Sequence, residues 1–284
     1  MALAPLPDPI YLLELGSTRT AALELLLLAV AGGTLGAFVV LRGLAFYTHA
    51  VGTATFPGVV VAEAARFSPR LAALAVAVAY AGGVERAGRS GRDPGAEGTA
   101  LILVLALALG TILASDVFAS GAGVDRVLFG SAVALSTADV VVAAGAALVA
   151  ILAAVLLGRA WTAMAFEPGA APGLGVPTRV ADLGLLVVLG VTVVAALPAV
   201  GSLLVTSLFV VPAAIARLLT GSVAGLVAAS VGAAAALGLV GLYGSIWLDV
   251  PPGPAIAVLG AATYGMVAAA RALAGARVAP EVPA

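Results

Sequence analysis

Apolar runs close to the ~20 residues that an α-helix needs to cross a bilayer recur along the whole chain, broken by clusters of Gly, Pro and Arg. The candidate spans are Ala21–Leu41, His49–Phe67, Leu71–Val84, Thr99–Ser115, Ala138–Leu157, Ala181–Leu197, Gly201–Thr220, Val223–Tyr243 and Pro254–Ala274. Nine result, or eight, because the second and third are short. The expected fold is therefore all-α: a polytopic transmembrane helical bundle of eight or nine spans, including interrupted helices. Residues 1–20 are read as a short N-terminal tail kept in the mature protein, because Asp8, Glu14 and Arg19 do not make the basic start of a secretory signal. Residues 21–274 form one transmembrane domain and 275–284 a short C-terminal tail.

Composition agrees. Of 284 residues, 63% are hydrophobic and 10% charged, against about 25% charged in a soluble domain. At a mean hydropathy of +1.21 and 27.4 kDa, one water-soluble core cannot hide the apolar surface, so lipid must cover it. The thirty-five glycines and many alanines permit close helix approach, as in Gly32-x-x-x-Gly36.

Missing residue types exclude whole chemistries. All thirteen basic residues are arginine, so no lysine is available for a Walker A phosphate contact or a Schiff base. ATP would have to be handled by another subunit. Cysteine is absent, which removes disulfides, thiolate metal sites and cysteine nucleophiles. A single histidine, His49, and no G-x-S-x-G or H-E-x-x-H motif leave no hydrolytic triad or two-histidine zinc motif within the chain. The net charge of −1 and pI of 5.8 point away from a nucleic-acid partner, which needs concentrated positive charge.

If nine spans alternate, Arg42, Arg86, Arg89, Arg92, Arg159, Arg179, Arg217, Arg271 and Arg277 fall on one side, and Arg19, Arg66, Arg70 and Arg126 on the other. Basic residues accumulate in the cytoplasm, so the N-terminus is expected outside and the C-terminus inside. Asp8, Glu14, Asp116, Asp125 and Asp249 then face outward, where a cation would arrive. Two hydrophilic loops, Val84 to Gly98 and Arg159 to Val180 with Pro168, Pro172 and Pro177, become cytoplasmic.

An ionisable residue inside a span is a functional candidate because burying it in hydrocarbon is costly. His49, Glu63, Asp139 and Arg217 were considered on this ground. Glu63, Asp139 and Arg217 sit near span ends, where a long side chain can reach the interface. His49 opens the stretch His49 to Gly58, with Thr53 one turn on and on the same helical face. The helix is expected to be interrupted at Pro57-Gly58, and interrupted helices in membranes line cavities.

This segment resembles the signature of the permease subunits of zinc and manganese ABC importers, approximately Gly-Asp-x-Leu-Ser-His-Ala-x-x-Pro-Gly. Set on Pro57-Gly58, the family aspartate falls on His49 and its histidine on Thr53. Other stretches keep the family order: Leu128-Phe129-Gly130-Ser131 with Asp139 following, Phe166 to Pro177, Gly201-Ser202-Leu203-Leu204-Val205 through Val211 to Arg217, and Asp249 to Pro254. The resemblance spans Ala21 to about Ala274.

What the resemblance implies is a permease that takes a divalent metal, most likely zinc, into the cytoplasm across the bacterial inner membrane. It implies no catalytic residue and no permanently bound cofactor, with ATP used by a separate cytosolic ATP-binding subunit and metal delivered by an extracytoplasmic metal-binding protein. Such permeases are homodimers with the path on the two-fold axis, so two copies of His49 would face each other, with Thr53 hydroxyls or water completing the ligands. Imidazole in place of carboxylate favours zinc over manganese. Pro57, Gly58, Glu63 and Arg217 would line or gate the path. Phe166, Glu167, Gly175 and Pro177 belong to the loop that holds the ATPase, with Trp161 a further contact. The competing readings are a permease for chelated iron and an autonomous secondary transporter or channel, which would usually show inverted repeats and several intramembrane carboxylates.

Overall fold

The computed structural model describes residues 16–89, 95–117, 128–131, 135–202 and 204–276. Asp8, Glu14, Arg92, Asp125, Arg126, Leu203 and Arg277 lie outside the described residues. Nine α-helices follow one another: α1 Gly16–Arg42, α2 Ala45–Ala64, α3 Pro69–Arg89, α4 Gly95–Val117, α5 Thr137–Phe166, α6 Thr178–Val200, α7 Val205–Leu219, α8 Val223–Leu248 and α9 Pro252–Ala276, among the described residues. The all-helical bundle expected from the apolar runs is what the chain forms.

Among the described residues, six helices are long and apolar enough to cross a membrane: α1, α3, α5, α6, α8 and α9. The apolar parts of α4 and α7, Leu103–Ser115 and Val205–Leu219, are shorter. The short second and third runs become helices of 20 and 21 residues, because each extends beyond its apolar stretch. α2 begins at Ala45 rather than His49, which moves His49 from the start of the helix into its second turn.

Enclosure separates inner from outer helices. The apolar stretches of α1 and α6 are 72% and 61% buried, those of α3 and α9 only 17% and 11%, so α1 and α6 lie in the interior and α3 and α9 at the periphery. No hydrophobic force draws helices together in hydrocarbon, so close packing of small residues must do so. Gly32 and Gly36 of α1 do this against α7: a Cβ at Gly32 would meet the Phe209 ring at 3.2 Å. Phe209 is fully buried. Gly33 does the same toward α8, where a Cβ would lie 2.5 Å from Cα of Val231.

The expected interruption at Pro57-Gly58 is absent. α2 runs without a break through Pro57, while the side chains of Thr53 and Thr55 bond the carbonyls of His49 and Gly52 at 3.1 and 2.6 Å. A proline removes one N–H from the ladder, the one that would reach Thr53 O, and packing against neighbouring helices can hold a helix through such a gap. The chain breaks instead between α6 and α7. Gly201, at φ 84°, ends α6 in backbone that residues with a Cβ rarely adopt, and the backbone N–H of Ser131 donates to Pro198 O at 3.0 Å just before it. α7 then runs beside the second half of α1, with Phe209 against Gly32 and Gly36 and Arg217 Nη1 donating to Val40 O at 3.1 Å. Its 15 residues rise about 22 Å, short of a full crossing.

Ion pairs fasten the ends of the bundle. Arg42, the last residue of α1, meets Asp182 of α6 at 2.6 Å. Arg179 of α6 reaches Glu85 of α3 at 3.6 Å. At the opposite end Arg70 of α3 pairs with Asp139 of α5.

Candidate functional site

The break before α7 brings a second polar segment against α2. Nδ1 of His49 lies 3.4 Å from Oγ1 of Thr206. One turn further along α2, Gly52 packs on the carbonyl of Ser202, where a Cβ would meet the oxygen at 2.9 Å. Thr53 is fully buried and its hydroxyl donates to His49 O at 3.1 Å. Ser202 is also fully buried, and its Oγ has no hydrogen-bond partner. His49 and Thr206 thus bring an imidazole and a hydroxyl together between α2 and α7, with Thr53 one turn along α2 and Ser202 just before α7 also buried.

In chemical terms the cluster supplies one nitrogen donor and hydroxyl oxygens. Among the described residues no group of three or more His, Asp or Glu could hold a metal ion.

The other residues singled out in the sequence lie elsewhere. Gly58 packs against Val76 of α3. Glu63 is exposed in the last turn of α2, about 21 Å along the helix from His49. Arg217 ties the end of α7 to the end of α1, eleven residues beyond Thr206. Asp139 is buried at the start of α5, where it accepts hydrogen bonds from the Ser136 backbone N–H and hydroxyl at 2.8 and 2.6 Å and pairs with Arg70.

The Pro/Gly-rich loop has a defined shape. Phe166 ends α5 and is 63% exposed, and Glu167 follows as its exposed cap. A single 3₁₀ turn, Ala171–Leu174, is closed by Gly175 at φ 74°, and Pro177 leads into α6. Leu174 is 71% exposed at the tip. Trp161 departs from its expectation as a docking contact. It is fully buried, its Nε1–H donates to Ala181 O at 2.8 Å, and its ring meets Phe38 edge-on at 5.0 Å. An indole in the penultimate turn of a long helix can bury both its ring and its N–H by bracing the neighbouring helix, and here it ties α5 to α6.

Four residues escaped sequence reasoning. Ser202 and Thr206 are ordinary small polar residues in an apolar segment, and their one signal was the resemblance of Gly201 to Val205. Glu24 lies inside the first apolar run, a carboxylate with no exposure, and that position alone was a usable signal. Arg70 precedes an apolar run and showed nothing before its partner Asp139 was placed.

Helices that cross the bilayer around a buried polar cluster define a membrane permease. The chain belongs to the ABC 3 transport family, whose model matches residues 15–271. It is 27% identical over 255 residues to the manganese transport system membrane protein MntC of Halalkalibacterium halodurans, covering 90% of this chain and 87% of that one. It is 30% identical over 212 residues to the protein of the same name from Bacillus subtilis, covering 71% of this chain and 48% of that one. Among solved structures, PsaBC from Streptococcus pneumoniae in complex with Fab shares the fold, with a TM-score of 0.81 and 22% identity over 91% of this chain and 94% of the matched one.

Proposed function

We propose that this chain is the membrane subunit of an ABC importer that moves zinc into the cytoplasm. It works as a homodimer in the bacterial inner membrane, with its N-terminus outside and its C-terminus in the cytoplasm. A separate ATP-binding subunit docks on Phe166, Glu167, Gly175, Pro177 and the exposed Leu174, and an extracytoplasmic protein hands over the metal. The observation that carries the reading is the family match over residues 15–271, and the reading adds to it the motif resemblance in which, set on Pro57-Gly58, the family aspartate falls on His49.

His49 and its symmetry mate ligate the passing ion through neutral imidazole, while Thr53, Thr206 and Ser202 supply oxygens directly or through water. Imidazole suits zinc, and carboxylate suits the harder manganese. Pro57 and Gly58 are the adaptable points of α2, Glu63 marks its outer end, and Arg217 holds α7 to α1 at the inner end. A second reading, manganese as cargo, draws on the names of the relatives from Halalkalibacterium halodurans and Bacillus subtilis.

Uptake of radioactive zinc and manganese into proteoliposomes holding the full complex separates the two. Zinc uptake exceeding manganese uptake, and falling in His49→Ala, is the expected result. Manganese uptake exceeding zinc at equal concentration would replace the first reading by the second.

A further inference from the structure

A cavity of about 410 Å³ lies between α3, α5 and α6 and has no part in the transport reading. Its polar groups, Ser68, Arg70 and Asp139, gather at one end, beside the first turns of α3 and α5. The rest of the wall is apolar, and it runs from Asp139 to Val149 along α5 and from Pro198 back to Val191 along α6. The stretch of α5 from Asp139 to Val149 rises about 15 Å, half of the ~30 Å hydrocarbon core and therefore the depth of one leaflet. α3 has 21 residues, a length of about 31 Å. It crosses that core once, so its first turn, with Arg70, lies at an interface.

The cavity opens toward the bilayer. On its wall Leu71, Val142 and Val149 are exposed, whereas Val194 and Ala195 of the interior helix α6 are buried. Water finds too few polar partners along such a wall to stay, so hydrocarbon fills it. A helix of the same length, 10–12 Å across, occupies roughly 1,200 Å³ or more, about three times the cavity, so a helix from a second copy does not fit. Charge selects what stands at the polar end. Among the described residues Arg70 gives one terminal nitrogen to Asp139, whose other oxygen is held by Ser136. A guanidinium has five N–H donors, and the Arg70 side chain is 43% exposed, which leaves donors for a phosphate at headgroup level. The exposed Ser68 stands two residues away.

We propose that this cavity is a phospholipid site, in which one acyl chain of a bilayer lipid lies along α5 and α6 while Arg70 holds the phosphate, with Ser68 beside it. The bound chain covers the buried side chains of α6 that the protein leaves facing the cavity, and so completes the packing of an interior helix. The site depends only on the chain being embedded in a membrane and is independent of which metal it carries.

The test is photo-cross-linking of the full-length chain in nanodiscs containing phosphatidylglycerol with a diazirine on one acyl chain, read by mass spectrometry of the labelled peptides. Label is expected on Val194 or Ala195, which lipid in the bulk bilayer does not reach, as well as on the exposed Leu71. Gly145 lines the cavity, and a Cβ built there meets nothing within 4 Å. Gly145→Phe should therefore fill the cavity and abolish the label on α6 while leaving that on Leu71. Arg70→Gln should weaken the α6 label about fivefold, the scale of one basic residue's attraction for an anionic headgroup. Should that variant fail to fold, Gly145→Phe decides the matter. Excess inorganic phosphate should not displace the lipid, because the acyl chain carries the affinity. The proposal is overturned by an unlabelled α6, by unchanged α6 label in Gly145→Phe or in folded Arg70→Gln, or by displacement with phosphate. It is also overturned if Gly145→Cys, in a chain with no other cysteine, forms a chain-to-chain disulfide on oxidation, since a second copy would then cover the cavity.

Discussion

His49 on α2 and Thr206 on α7 stand 3.4 Å apart, Nδ1 to Oγ1, although 157 residues separate them in sequence. The contact exists because α7 starts after the break at Gly201 and runs beside the C-terminal half of α1, so its first turn meets the second turn of α2. The polar cluster is therefore a product of the break, and the ends of α2 have no part in it.

His49→Ala is expected to abolish or strongly reduce zinc uptake by the reconstituted complex while leaving expression and assembly intact. Thr206→Val, which keeps the shape and removes the hydroxyl, should reduce uptake less. Zinc binding should also weaken on acidification, because a protonated imidazole has no lone pair for metal. Zinc uptake by His49→Ala at the wild-type rate would make His49 a structural residue.

The double change His49→Asp with Thr53→His restores the family pair. It should retain transport and shift relative uptake toward manganese, since a hard carboxylate replaces imidazole. Competition between the two ions in one proteoliposome preparation measures the shift.

The isolated chain should hydrolyse no ATP, because it has no lysine for a Walker A contact, and activity should appear on adding its ATP-binding partner. Leu174→Asp should weaken that partnership by about tenfold or more, as loss of a central apolar contact does at an interface. Its melting temperature should stay near wild type, since Leu174 is 71% exposed. Pull-down together with coupled ATPase assays distinguishes lost docking from lost folding.

Trp161 gives the opposite signature. Trp161→Phe keeps most of the ring but leaves the Ala181 carbonyl without its donor, at a cost of about 1–3 kcal/mol. Trp161→Ala also empties the space beside Phe38, at about 3–5 kcal/mol. Thermal unfolding in detergent should rank wild type above Phe above Ala, and a surface docking residue would leave all three equal.

Native mass spectrometry in detergent or nanodiscs should find two copies of the chain, as a path on a two-fold axis requires. A transport-competent monomer would be incompatible with paired His49 ligands.

Much was determined by the sequence alone. Apolar runs of bilayer length force helices, because no other open structure satisfies every backbone group in hydrocarbon. The lack of lysine and cysteine removed whole chemistries by composition, and the order of motifs from His49 to Pro254 was enough to suggest the family. Tertiary structure decided what periodicity cannot express. Whether Pro57 breaks a helix depends on how its neighbours pack around it, and here α2 continues through it. Whether Trp161 docks a partner or braces α5 depends on which face Ala181 and Phe38 occupy. The pairing of His49 with Thr206, and of Arg70 with Asp139, joins residues tens to more than a hundred positions apart. In a chain so uniformly apolar, packing of small residues rather than hydropathy sets which helix faces which, and glycine-lined contacts such as Gly32 on Phe209 acquire meaning only once the helices are in place.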